Sequence, residues 1–204
     1  NLEVIQQDSN ATLSDYKEMS VTLTRTLDRL ERLSNDLLLL ARGELEVHKV
    51  PVNIEALLTE VVQNLMPFAK EYHVIINMKV QEGAVVLADE RLLGIAFGNL
   101  IDNGIRYNRS GGSVEITVFG VDNGLTVQIQ DTGEGIPSEE LPKIFDRFYR
   151  VEKSRTRYRG GAGLGLAICE HIVKLHGGHI KASSTVGEGK IGRASCRERV
   201  YHPV

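Results

Sequence analysis

Asparagine is a poor residue for a helix interior, because its amide competes for backbone hydrogen bonds. Asn99 and Asn103 nevertheless stand four apart in Asn99-Leu-Ile-Asp-Asn-Gly-Ile-Arg-Tyr, flanked by Leu100 and Ile101. Side chains at that spacing share one helix face. Their amide oxygens can coordinate a hard cation such as Mg²⁺, which takes oxygen ligands and keeps several waters. Arg106 and Tyr107, one turn further on, come within reach of phosphate or ribose. A solvated helix face is the competing explanation, and it leaves unexplained why polar residues interrupt an apolar helix. Asp131 closes an alternating apolar segment and precedes Gly133 and Gly135. A carboxylate there can accept a hydrogen bond from an exocyclic amine, while the glycines let backbone approach a flat ring. A plain Asp-Gly turn has the same appearance. An EF-hand is excluded, because Gly133 and Gly135 fall where that loop needs oxygen ligands.

Gly160-Gly-Ala-Gly-Leu-Gly-Leu opens the next apolar segment. A Gly-rich helix N-terminus presents free N–H groups and the positive end of the helix dipole to phosphate. A dinucleotide-binding fingerprint would need a preceding strand, but Ser154 to Arg159 is polar and Arg-rich, and no GxxxxGK[ST] sequence is present. Ile136 to Gly160 is too long for a simple turn and is a candidate lid. It holds Phe145-Asp-Arg-Phe-Tyr-Arg and the cations Lys143, Arg147, Arg150, Lys153, Arg155, Arg157 and Arg159. That charge suits a polyanion beside a phosphate site, or a loop that is merely solvated.

These motifs need elements to position them. Met19, Leu23, Leu27, Leu30, Leu37 and Leu40 recur at helical spacing, which predicts one long amphipathic helix over Leu13–Ala41, with Ser14 and Asp15 as cap and Gly43 as stop. Such a stripe expects partner helices. A connector with Pro51 follows, and Asn53 is suited to cap a helix built on Ile54, Leu57, Leu58, Val61, Val62 and Leu65. Strands are predicted at Tyr72–Val80, Val85–Leu87, Ser113–Gly120, Leu125–Gln130 and His179–Ser183, with a hairpin turn at Asp122-Asn-Gly. Helices are predicted from Asp89 to about Tyr107 and from Leu164 to His176. Helices on one face of a mixed, mainly antiparallel sheet make an α+β two-layer sandwich.

Composition narrows the function classes. The 204 residues suffice for one ordinary domain and an appendage, and a net charge of −3 argues against a nucleic-acid binder with a basic surface. Cys169 and Cys196 lie outside any CxxC pattern, which disfavours a disulfide framework or zinc site and fits a reducing cytosol. No apolar run approaches the length of a membrane span. His48, His73, His171, His176, His179 and His202 form no metal-ligand spacing, and none is assigned a catalytic role.

Taken together, residues 54–190 resemble the catalytic ATP-binding domain of bacterial sensor histidine kinases. The resemblance implies Mg²⁺ coordination by Asn103 with Asn99 and phosphate contacts from Arg106 and Tyr107. It implies adenine binding by Asp131 beside Gly133 and Gly135, and a lid anchored by Phe145 and Phe148. Gly161, Gly163, Leu164 and Gly165 would lie under the phosphates. Gly104 and Asn108 depart from the usual alanine and Ser or Thr, and Gly104 should cost the helix ~1 kcal/mol relative to alanine.

Residues 1–42, with Arg29-Leu-Glu-Arg-Leu-Ser-Asn-Asp-Leu-Leu, resemble the second helix of that family's dimerisation and phosphotransfer bundle, most of whose first helix is missing, and 43–53 form a linker. The family's phosphoacceptor histidine has no counterpart here, and no catalytic residue is assigned. The chain is therefore expected to be a truncated piece, inactive alone in autophosphorylation. Residues 191–204 lack the closing alternating strand. Because Gly192–Val200 resembles translated sequencing-adapter DNA, this tail is expected to be non-native, unpaired, and of little consequence when deleted.

The function implied is ATP-dependent transfer of a γ-phosphoryl group to histidine and then to an aspartate of a response-regulator receiver domain, in a homodimer. This chain would be the cytoplasmic portion, touching neither membrane nor nucleic acid, of a parent in the bacterial cytoplasmic membrane. The alternatives are an ATPase of the same superfamily that drives a conformational cycle, and a nucleotide-binding regulatory pseudo-kinase.

Overall fold

The computed structural model describes residues 12–41, 46–121, 124–151 and 162–196. The chain divides into two units, Asn1–Gly43 and Glu44–Val204. The first contains helix α1 (Leu13–Ala41). Thr12, rather than Ser14, closes its N-terminus. The Thr12 Oγ1 accepts from the Asp15 N–H at 3.3 Å and the Asp15 carboxylate accepts from the Thr12 N–H at 2.7 Å, a reciprocal cap. Of the apolar stripe read from the sequence, Leu23, Leu27, Leu30 and Leu37 are exposed, Met19 is half-buried and Leu40, near the end of the helix, is buried. Gly43, the expected stop, falls outside the described residues.

The second unit runs β1 (Val50–Asn53), α2 (Ile54–Glu71), β2 (Ile75–Val80), β3 (Val85–Ala88), α3 (Glu90–Arg106), β4 (Ser113–Val121) and β5 (Gly124–Asp131). A 3₁₀ turn (Leu141–Lys143), α4 (Gly165–Leu175), β6 (His179–Thr185) and β7 (Gly189–Cys196) follow. The main sheet has the order β2-β4-β5-β7-β6, with β2 and β4 parallel and the other neighbours antiparallel. This is the mixed α+β arrangement expected from the sequence.

Alternation makes the sheet one-sided. Val114, Ile116 and Val118 of β4 and Leu125, Val127 and Ile129 of β5 are buried, as period-two side chains on one face must be. On α3, Leu92, Leu93, Ala96, Phe97, Leu100, Ile101 and Ile105 are buried at helical spacing, and Ile168, Cys169, Ile172 and Val173 form the matching stripe on α4. Caps fix where these helices begin. Asn53 accepts from the Ala56 N–H at 3.1 Å, and Asp89 from the Leu92 N–H at 3.0 Å. His176, at the end of α4, is buried with Nδ1 2.8 Å from the Ile172 carbonyl, while Nε2 accepts from the Asp89 N–H at 3.0 Å. This histidine therefore joins one end of α4 to the start of α3.

Three further expectations are corrected. The last residues of the connector form β1, paired with β3 from Val50↔Ala88 to Asn53↔Val85. Pro51 is tolerated because this small ladder leaves it an edge position. The strand expected from Tyr72 begins at Ile75, since Tyr72 caps α2 and His73 adopts φ 55 to turn the chain. The third correction is the tail. Residues 189–196 do not hang free but form β7, which pairs with β5 from Leu125↔Cys196 to Asp131↔Lys190 and with β6 from His179↔Ser195 to Thr185↔Gly189. Its inward positions hold Gly192 and Ala194, both buried, and such small residues give no visible apolar alternation. Neighbouring backbones satisfy its N–H and C=O groups from both sides, whatever its side chains are. Residues 197–204 lie outside the described residues.

Candidate functional site

Asp131 is the last residue of β5 and is 3% exposed. Oδ1 accepts from the Gly133 N–H at 3.1 Å and from the Lys190 N–H at 3.2 Å. Among the described residues no donor hydrogen-bonds Oδ2, and the Lys190 ammonium lies 3.6 Å from it. A buried carboxylate oxygen left without a donor is costly. Among the described residues its charge is offset by the Lys190 ammonium while its hydrogen-bonding capacity stays unused. The glycines beside it are required by close approach. A Cβ on Gly133 would run into the Tyr107 carbonyl oxygen, and one on Gly135, at φ 73, into the Thr185 carbonyl oxygen.

The end of α3 is tied to this corner. Asn108 is buried, its amide donates to the Gly104 and Ser113 carbonyls at 3.0 and 2.9 Å, and its Oδ1 accepts from the Thr132 hydroxyl at 3.2 Å. The Glu134 N–H donates to the Tyr107 carbonyl at 3.3 Å. A Cβ on Gly104 would meet Val114 Cγ2 at 3.1 Å and Asp131 Cβ at 3.7 Å, so the missing methyl lets α3 lie close against the strand that ends in the carboxylate.

Asn99 and Asn103 are half-buried. The Asn99 Nδ2 donates to the Ile95 carbonyl at 3.0 Å. Its Oδ1 is the nearest atom to where a Cβ on Gly165 would be, at 2.8 Å, with the Asn103 amide at 3.7 Å. The first turn of α4 thus abuts both asparagines, and only glycine leaves room there. Leu164 makes no side-chain cap to α4, which leaves first-turn N–H groups available. Gly163 adopts φ 76, and its carbonyl accepts from the Phe148 N–H at 2.9 Å.

Other predicted residues sit differently. Phe148 is 61% exposed with φ 65, so its backbone, not its ring, ties this segment to Gly163; the buried residue is Ile144, with Phe145 half-buried. Arg106 is turned to its own helix. Its Nε donates to Asp102 Oδ2 at 2.6 Å and its guanidinium stacks 4.4 Å from the Phe68 ring centroid. Burial pulls the Arg106 pKa down, but the hydrogen bond and charge of Asp102, with Tyr72 and Tyr107, leave it above the ordinary value. Gly161 and the lid cations from Lys153 to Arg159 lie outside the described residues. Sequence reasoning missed Lys190 and Gly189. A Cβ on Gly189, at φ 102, would strike the Asp131 carbonyl oxygen. The Gly187-Glu-Gly-Lys turn carried a signal, but only pairing between β5 and β7 brings it to Asp131.

Residues 88–198 match the family described as histidine kinase-, DNA gyrase B-, and HSP90-like ATPase. The sensor protein kinase WalK of Staphylococcus saprophyticus is 35% identical over 176 residues, covering 84% of this chain and 28% of its own length, so the chain spans little more than a quarter of that relative. The full-length ShkA structure in complex with AMPPNP superposes with a TM-score of 0.81 at 26% identity, over 98% of this chain and 42% of its own. Histidine kinase ThkA in complex with response regulator TrrA shares the fold, with a TM-score of 0.75 at 23% identity over 97% of this chain and 55% of its own. With an ATPase family match across both motif-bearing helices and the strand that ends in Asp131, the chain belongs to the histidine kinase-, DNA gyrase B- and HSP90-like ATPases and, among them, to the bacterial sensor histidine kinases.

Proposed function

We propose that this chain binds MgATP between α3, the Asp131 corner and the start of α4, and that the intact protein transfers the γ-phosphoryl group to a histidine and then to a receiver-domain aspartate. The observation that carries the nucleotide site is the buried Asp131 Oδ2, which lacks a hydrogen-bond donor beside two glycines. In this reading the carboxylate accepts the adenine amino group, and Gly133 and Gly135 flank the base. Gly163, Leu164 and Gly165 present N–H groups to the phosphates at the positive end of α4. Gly161 and the lid belong to the same site by motif. The Asn99 amide oxygen and the Asn103 amide nitrogen face Gly165; with the Asn103 amide turned to present its oxygen, the two side chains would fit a hard cation and would hold Mg²⁺. A cation there supplies charge neutralisation at the phosphates. The protein's own part is positioning: Asn108 and His176 fix α3, and Tyr107 fixes the Asp131 loop.

Arg106 would reach phosphate only by leaving Asp102 and Phe68. The exposed leucines of α1 suit a homodimeric bundle, and this favours a sensor kinase over an ATPase that drives a conformational cycle. No described helix is long and apolar enough to cross a membrane, in keeping with a cytoplasmic portion of a membrane-bound parent.

Calorimetry of MgADP binding tests the site. Asp131→Asn should weaken binding by roughly tenfold or more, since it loses a charged acceptor. Asn103→Ala should remove the Mg²⁺-dependent part of the affinity and spare the rest. Unchanged affinity in both variants would overturn the assignment.

A further inference from the structure

Arg106 stands between two neighbours on α3. A long side chain on a helix leans back toward the N-terminus, over the residues three and four positions before it. For Arg106 these are Asn103 and Asp102. It takes the second. Its Nε donates to Asp102 Oδ2 at 2.6 Å, with the two side chains 21% and 25% exposed, and the guanidinium lies 4.4 Å from the ring centroid of Phe68 on α2. The other direction leads toward Asn103, which shares a helix face with Asn99, and there the first turn of α4 abuts both asparagines.

We propose that Asp102 competes with the nucleotide's phosphates for the Arg106 guanidinium, and so lowers the affinity of the site for phosphate-bearing ligands alone. This rests on the reading of α3, the Asp131 corner and the start of α4 as the MgATP site. Arginine stays charged throughout, so one anion replaces another and no proton moves. The pair with Asp102 uses a single guanidinium donor, Nε, whereas phosphate is gripped by two in a fork. A partly exposed ion pair four residues apart on a helix holds only a few-fold in equilibrium, so a phosphate displaces it. Asp102 is thus a positioning residue that acts through Arg106. The displaced guanidinium also uncovers the Phe68 ring, whose other neighbour is Tyr72 at 4.4 Å between centroids.

The test compares MgADP with adenosine, which has no phosphate, by calorimetry on the whole chain and on D102N, D102E, R106M and D102N/R106M. D102N should tighten MgADP about two- to fivefold and leave adenosine unchanged. D102E, which keeps the carboxylate, should stay near the unsubstituted affinity. R106M should weaken MgADP roughly tenfold, the worth of a charged hydrogen bond, and adding D102N to it should change nothing further. In NMR spectra, MgADP but not adenosine should shift the Phe68 ring resonances.

An unchanged or weaker MgADP affinity in D102N overturns the proposal. So does a gain that persists in the R106M background, which would be the field of the lost carboxylate rather than a released guanidinium. A structural role for Asp102 would alter adenosine as well, and that also overturns it. D131N separates the two layers. If D131N weakens both ligands while R106M leaves MgADP unmoved, only the competition for Arg106 fails. If D131N leaves both unmoved, the nucleotide-site reading fails and this proposal with it.

Discussion

Strands β5 and β7 lie side by side in the sheet and are specified in opposite ways. Strand β5 buries Leu125, Val127 and Ile129 and ends in the buried Asp131 carboxylate. Directly opposite, Ala194 pairs with Val127 and Gly192 with Ile129. On the other side, Lys181 pairs with Arg193, two like charges across a ladder, an arrangement that is unfavourable. Strand β5 would be placed in a core by its own side chains. Strand β7 is held by backbone pairing on both flanks, helped by Arg193 Nε donating to the Gln128 side chain at 2.8 Å. A strand can thus be indispensable to a sheet while contributing little apolar volume, because an interior position counts hydrogen bonds on two sides.

The comparison is most easily broken by truncation. Ending the chain after Glu188 leaves β5 and β6 without the partner that joins them and uncovers Asp131 Oδ1. The truncated protein should lose its cooperative thermal transition, while an unchanged melting temperature would show that β7 is dispensable, as the sequence alone suggested. Next in size is Val127→Ala on β5, which empties buried volume and should cost about 2–3 kcal/mol in denaturant unfolding. If that loss is under ~0.5 kcal/mol, β5 is not the apolar anchor described here. The smallest effect has the opposite sign. A Cβ on Gly192 would lie 3.8 Å from the Ile129 carbonyl oxygen and 3.9 Å from Leu100 Cδ2, ordinary contact distances. Gly192→Ala should therefore stabilise by about 0.5–1 kcal/mol. A loss would mean that the inward face of β7 is already full.

Legibility followed side-chain bulk. Helices α1 and α3, the caps at Asn53 and Asp89, and strands β4 and β5 were readable because large apolar residues recur at fixed periods and short polar residues mark the ends. Strand β7 was not, because Gly192 and Ala194 carry no such mark. Thr12 was overlooked as a cap because Ser14 and Asp15 looked equivalent, and only hydrogen-bond geometry separates them. Phe148 was expected to anchor the lid from the family resemblance, but at φ 65 its ring is exposed and the buried residue of this segment is Ile144.

The sequence by itself determined the element types, the α+β class and the motifs of an ATP site, since helix periodicity, caps and glycine-rich turns act within a few residues. Tertiary structure alone decided that Lys190 stands beside Asp131, that Arg106 is held by Asp102 and Phe68, and that His176 links α4 to the start of α3. Each of these depends on register between strands or on the facing of packed helices. Such relations are set by the burial of the whole core and by the pairing of every backbone polar group within it, so no local stretch of sequence encodes them.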